Sequence, residues 1–111
     1  MKIKRLISIA SFTLAMLFSS LSYADEPVWI DVRTLVENQR DNIAGDLRIS
    51  HSNIVREVVK LFPDRETVFY FYDKTGGRSD IAISALKLEG YKNLHNAGSI
   101  EEARKKRGLS Q

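Results

Sequence analysis

The segment Val68-Phe69-Tyr70-Phe71-Tyr72 is an unbroken apolar and aromatic run, and it leads directly into Asp73-Lys74-Thr75-Gly76-Gly77-Arg78-Ser79. A short continuous run of this kind fits a strand covered on both faces, as in a parallel sheet with helices above and below. The flanking segments agree. Val28–Val32 reads as a strand, and Thr34-Leu35-Val36-Glu37 has the spacing of a capping box that opens a short helix. Asn42–Gly45 reads as a turn and Asp46–Ile49 as a short strand. Ile54, Val55, Val58, Val59 and Phe62 recur at helical spacing until Pro63-Asp64 stops them. Ile81, Ala82, Ala85, Leu86 and Leu88 form a second helical face, closed by Gly90. Tyr91–His95 reads as a further strand, and Ser99-Ile100-Glu101-Glu102 as a second capping box. Arg104, Lys105, Lys106 and Arg107 then fall in the last turn of that helix, where bases suit the helix dipole. Strands alternating with helices predict an α/β fold: one domain built on an open parallel β-sheet flanked by helices.

The amino terminus reads differently. Lys2, Lys4 and Arg5 precede an apolar run from Leu6 to Phe18, followed by a small polar stretch ending at Ala24. This is the pattern of a secretory signal peptide, residues 1–24, leaving a mature domain of residues 25–111. An uncleaved anchor is the alternative, although the run is shorter than the roughly 20 residues of a spanning helix. Either way the domain is expected outside the cytoplasm, with a bacterial periplasm as first choice. The leader carries three of the 17 Lys and Arg side chains and none of the 14 Asp and Glu, so the mature chain is formally neutral. A neutral chain supports no nucleic-acid or membrane partner. The sequence contains no cysteine, which excludes disulfides, thiolate metal sites and a cysteine nucleophile.

In open α/β sheets ligands bind beyond the carboxyl ends of the strands, which is where Asp73–Ser79 falls. Gly76 and Gly77 permit close backbone approach. Successive N–H groups entering a helix make an anion-binding concavity, to which Arg78 adds a fork of donors. A glycine turn with Ser79 as helix cap fits the spacing equally well. Asp31 and Arg33 read as a structural ion pair beside the loop. His51 and His95 lack a metal-ligand pattern, and no metal or cofactor is expected.

Several segments together resemble the rhodanese family. Trp29-Ile30-Asp31-Val32-Arg33 is similar to the family's opening strand with its Asp-Val-Arg. Asn42-Ile43-Ala44-Gly45 resembles its His-Ile-x-Gly-Ala turn. Gly76-Gly77-Arg78-Ser79 after the Val68–Tyr72 strand resembles the end of its active loop, Cys-x-x-Gly-x-Arg-Ser. Gly90–Leu94 and Asn96–Ser99 resemble its closing strand and the turn before its last helix. With the leader, the chain is most similar to exported single-domain rhodaneses of the phage shock protein E type. The resemblance implies a rhodanese-like sheet and a sulfurtransferase ancestry.

The departure falls on the nucleophile. The family's cysteine position holds Asp73, and a carboxylate cannot form the persulfide that carries sulfur. The expected function is therefore a non-catalytic binding or regulatory module. Its active-loop equivalent is Asp73, Lys74, Thr75, Gly76, Gly77, Arg78 and Ser79, supported by Asp31 and Arg33. The expected ligand is a small anion or a protein partner. Asp73-Lys74-Thr75-Gly76 also resembles the phosphorylated loop of P-type ATPases and the haloacid dehalogenase superfamily. That resemblance implies the alternative, an enzyme using Asp73 in phosphoryl transfer. A further expectation follows from chemistry: the Asp73 carboxylate accepts hydrogen bonds from N–H groups around Thr75–Arg78, so that the loop is filled by its own side chain.

Overall fold

The computed structural model describes residues 26–110, so the signal peptide expected at residues 1–24 lies outside the described residues. Four strands and four α-helices alternate: β1 Val28–Asp31, α1 Leu35–Arg40, β2 Leu47–Arg48, α2 Ile54–Leu61, β3 Val68–Asp73, α3 Gly77–Leu88, β4 Asn93–Ser99 and α4 Ile100–Lys106. The strands form one sheet in the order β2-β1-β3-β4, and every neighbouring pair is parallel. Val28 stands opposite Phe69 and Ile30 opposite Phe71, while Phe69 stands opposite Leu94. The central pair is therefore the one with the strongest strand composition.

Both faces of β3 are covered, as its composition requires. On one face Phe69 and Phe71 pack with Ile30 and Val32, with Ile54 and Val58 of α2, and with Ala82 and Leu86 of α3. Each of these large side chains contributes about 1.5–3 kcal/mol by leaving water. On the other face Tyr72 packs with Ile43, Ala97, Ile100 and Ala103. Among the described residues, the seven-residue α4 is the one helix that contributes to this cluster, and Trp29 and Tyr70 stay partly exposed.

Several elements differ from the sequence reading. Strand β2 is two residues rather than four, and a 3-10 turn over His51–Asn53 precedes α2. Strand β4 begins at Asn93, not Tyr91, and runs to Ser99. Tyr91 instead packs in the core and donates through its hydroxyl to the Phe62 carbonyl at 2.7 Å. Helix α3 begins at Gly77, with Gly76 rather than Ser79 as its N-cap.

The basic cluster of α4 is more than a helix end. Arg104 is buried and pairs with Asp41 at 2.6 and 3.1 Å. Arg107 pairs with Asp46 at 2.6 and 3.1 Å and lies over the Trp29 ring. These two arginines clasp the Asp41–Asp46 turn to the sheet, leaving Lys105 and Lys106 exposed. Asp46 also accepts from the buried Tyr72 hydroxyl at 2.8 Å, and burial followed by this bond raises the Tyr72 pKa.

Candidate functional site

The chain leaves β1 toward β2 and leaves β3 toward β4, on opposite sides. The carboxyl ends of β1 and β3 therefore open the crevice where ligands bind in folds of this type. Asp31 ends β1 and Asp73 ends β3, so the topology brings both predicted positions to one place.

Asp73 is 0% exposed, and its carboxylate faces inward to the turn that follows it. Oδ1 accepts from the Thr75 N–H at 2.9 Å and from the Gly76 N–H. Oδ2 accepts from the Arg78 N–H at 2.6 Å and from the Ser79 N–H at 3.0 Å. The first N–H groups of a helix have no partner within it, and its dipole favours negative charge at that end. One side chain meets both needs at α3. The turn depends on Gly76, whose φ of +97° is costly for a residue with a Cβ. The Asn96 side chain donates to the Gly76 carbonyl at 2.9 Å and ties the loop to β4. The Ser79 hydroxyl is buried and has no partner among the described residues.

Arg78 does not turn into the loop. Its guanidinium makes a two-pronged pair with Glu37, at 2.6 and 2.9 Å. Glu37 is also the N3 residue of the α1 capping box, accepting from the Thr34 N–H at 3.1 Å. The Arg78 hydrogen bond, opposed by burial and aided by Thr34, brings the Glu37 carboxyl down to about 2. Helix α1 buries none of its residues, so this pair helps hold it against the body.

Beneath it, Asp31 accepts from Arg33 Nε and Nη2 at 3.0 and 2.9 Å, from the Arg33 N–H at 2.9 Å and from Asn38 at 3.0 Å. Arg33 reaches on to the Asp41 carbonyl at 2.5 Å. This is the structural ion pair expected from the sequence, and both partners are buried. Lys74, Thr75 and Gly77 are exposed. Thr75 and Gly77 border an open cleft of about 530 Å³ together with Asp80, Asn96, Glu102 and Lys106; Asp73 does not line it.

No protein-family model and no curated protein sequence matches the chain. Solved structures do. A rhodanese with anions from E. coli is similar with a TM-score of 0.65 and 26% identity, over 69% of this chain and 91% of that one. A Rhodanese_3-like domain from Anabaena gives a TM-score of 0.67 with 17% identity, over 77% and 97%. A human single-domain sulfurtransferase gives 0.60 with 24% identity, over 80% and 90%. The fold is rhodanese-like. The rhodanese-like sheet accounts for the site's position, because its switch point lies between β1 and β3.

The sequence points to the loop, Asp31 and Arg33, but not to Glu37, Asn38 or Asn96 as members of the site. Glu37 had one signal, its capping-box position. Its second role, as partner of Arg78 at a separation of 41 residues, has no local signature.

Proposed function

We propose that this protein is a non-catalytic, exported rhodanese-like module, derived from a thiosulfate sulfurtransferase of the phage shock protein E type, with Asp73 standing in the place of the nucleophilic cysteine. The observation that carries the reading is the Asp73 carboxylate, fully buried and accepting four N–H groups of the loop that follows it. Those N–H groups form the anion cradle of the loop, and here the cradle holds a covalently attached anion. Arg78 is likewise taken up by Glu37. The chain has no thiol with which to carry sulfur. Its role is then to present a surface to a protein partner, in the periplasm, after loss of residues 1–24.

The phosphoryl-transfer reading finds less support. A phosphoryl acceptor must expose a carboxylate oxygen to the incoming phosphorus, whereas both oxygens of Asp73 point at backbone donors in a position with no exposure.

Two measurements on the purified protein test the proposal. The thiosulfate–cyanide assay should give no thiocyanate above a buffer blank. Titration with sulfate, followed through loop amide shifts, should leave the wild type unmoved and shift the loop of Asp73→Ala. Thiocyanate formation that is lost on loop mutation would overturn the reading, as would sulfate binding equally tight in both proteins.

A further inference from the structure

Trp29, Tyr70 and His95 stand opposite one another in register on β1, β3 and β4. Their rings form a row. Trp29 and Tyr70 stack at 4.5 Å and 12°, and Tyr70 and His95 at 4.7 Å and 24°. The Arg107 guanidinium closes one end, 4.3 Å from the Trp29 ring centre. The other end is His95, an exposed residue in the middle of the outermost strand. Among the described residues, no second ring or guanidinium stacks on it. The step of the row matches the spacing of paired strands, about 4.7–4.9 Å. A side chain on a strand added to β4 would supply the next rung.

Among the described residues, no strand pairs with the outer side of β4. One edge of the sheet, β2, has two residues, and the other, β4, has seven. Sheet edges are usually blunted by lysine, proline, inward charge or bulges. Strand β4, Asn93-Leu94-His95-Asn96-Ala97-Gly98-Ser99, carries no charged residue and no proline. Its irregularity sits at the far end, where pairing shifts between Phe71 and Asp73 of β3, and Asn93–Asn96 keeps a regular register.

We propose that β4 pairs antiparallel with β4 of a second copy, about a two-fold axis at residue 95. A two-fold contact must be self-complementary. Here it sets His95 against the same residue of the second copy, and Leu94 against Asn96, with no like charges opposed. Lys92 is outside the strand and already paired with Glu66 at 3.3 Å. The two ring rows then become one, capped by an Arg107 at each end.

Sedimentation equilibrium of the purified protein, from micromolar to millimolar concentration, tests this. The wild type should dimerise with concentration. His95→Lys and His95→Glu should each weaken dimerisation roughly tenfold or more, through like charges facing each other across the strand pair. An equimolar mixture of the two variants should dimerise again, because only a contact of residue 95 with itself turns both repulsions into one attraction. Circular dichroism melts confirm that each variant is folded. A wild type that stays monomeric, a dimer indifferent to both substitutions, or a mixture that remains monomeric would each overturn the proposal.

Discussion

Removing the Asp73 carboxylate should expose what it does for the loop. Charge-assisted hydrogen bonds contribute about 1.5–3 kcal/mol each, and a buried donor left unpaired costs about 1–3 kcal/mol. Asp73→Asn keeps one acceptor oxygen for two of the four N–H groups and turns an amide NH2 toward the other two, donor against donor. Losing two such bonds costs about 3–6 kcal/mol. A domain of this size is stable by roughly 4–13 kcal/mol in all, so the variant should be marginally folded. Asp73→Ala also loses the bonds but leaves room for water or an oxyanion, and should cost about 2–4 kcal/mol in chloride buffer.

Sulfate separates the two variants. An anion that fills the emptied cradle at a hundredfold excess over its Kd returns about 2.7 kcal/mol. Asp73→Ala should recover this way, while Asp73→Asn should not, since its amide still occupies the space. Urea denaturation with and without sulfate measures the effect. Sulfate also stabilises proteins in general by exclusion from their surfaces, so the quantity that counts is the variant's gain beyond the wild type's. If Asp73→Ala matches the wild type in stability, or if sulfate raises both equally, the carboxylate is not what fills the loop.

Other expectations rest on single contacts. Ser79→Ala removes a buried hydroxyl that has no partner among the described residues and adds a better helix former, so urea denaturation should find it neutral or up to about 1 kcal/mol more stable. Glu37 is held at about 2 against an ordinary 4.5, so its pair with Arg78 contributes fully above pH 4.5 and is lost as pH falls toward 2. Glu37→Gln should therefore lower stability at neutral pH and leave it little changed near about pH 2, as read from denaturation curves at both. Gly98→Ala would put a Cβ 2.6 Å from Glu102 Oε1 at a φ of +84°, displacing the carboxylate that caps Ser99. It should cost about 1–3 kcal/mol and lower the thermal midpoint in calorimetry.

What was legible in the sequence was local. The β3 run announces itself through composition, and both capping boxes form as their four-residue spacing predicts. The sequence pattern ends β4 early because Asn-Ala-Gly-Ser is turn-like in composition. It becomes strand by pairing with Phe71 and Asp73, a case of tertiary context overriding propensity. The sequence pattern starts α3 late for a related reason. Gly76-Gly77 is a poor helix opening by propensity, yet Asp73 satisfies the N–H groups at that end and makes it a good one. The pairs that clasp distant segments, Glu37 with Arg78 and Asp41 with Arg104, have no local spacing to betray them. The second spans 63 residues of sequence.

A buried carboxylate without partners is costly, and it persists only where donors answer both of its oxygens. A thiolate at this position would offer one charged atom, one bond beyond Cβ. The carboxylate offers two oxygens, and the loop divides its donors between them: Thr75 and Gly76 to one, Arg78 and Ser79 to the other. That division leaves no donor among these four for a ligand from solvent. A partner approaching the loop would instead meet its rim, where Lys74, Thr75 and Gly77 are exposed. Lys74→Ala should then weaken a partner held through this loop, whereas Ser79→Ala, buried beneath it, should leave that binding unchanged. Calorimetric titration of the two variants against a captured partner would give the ranking, and equal losses in both would place the contact elsewhere on the surface.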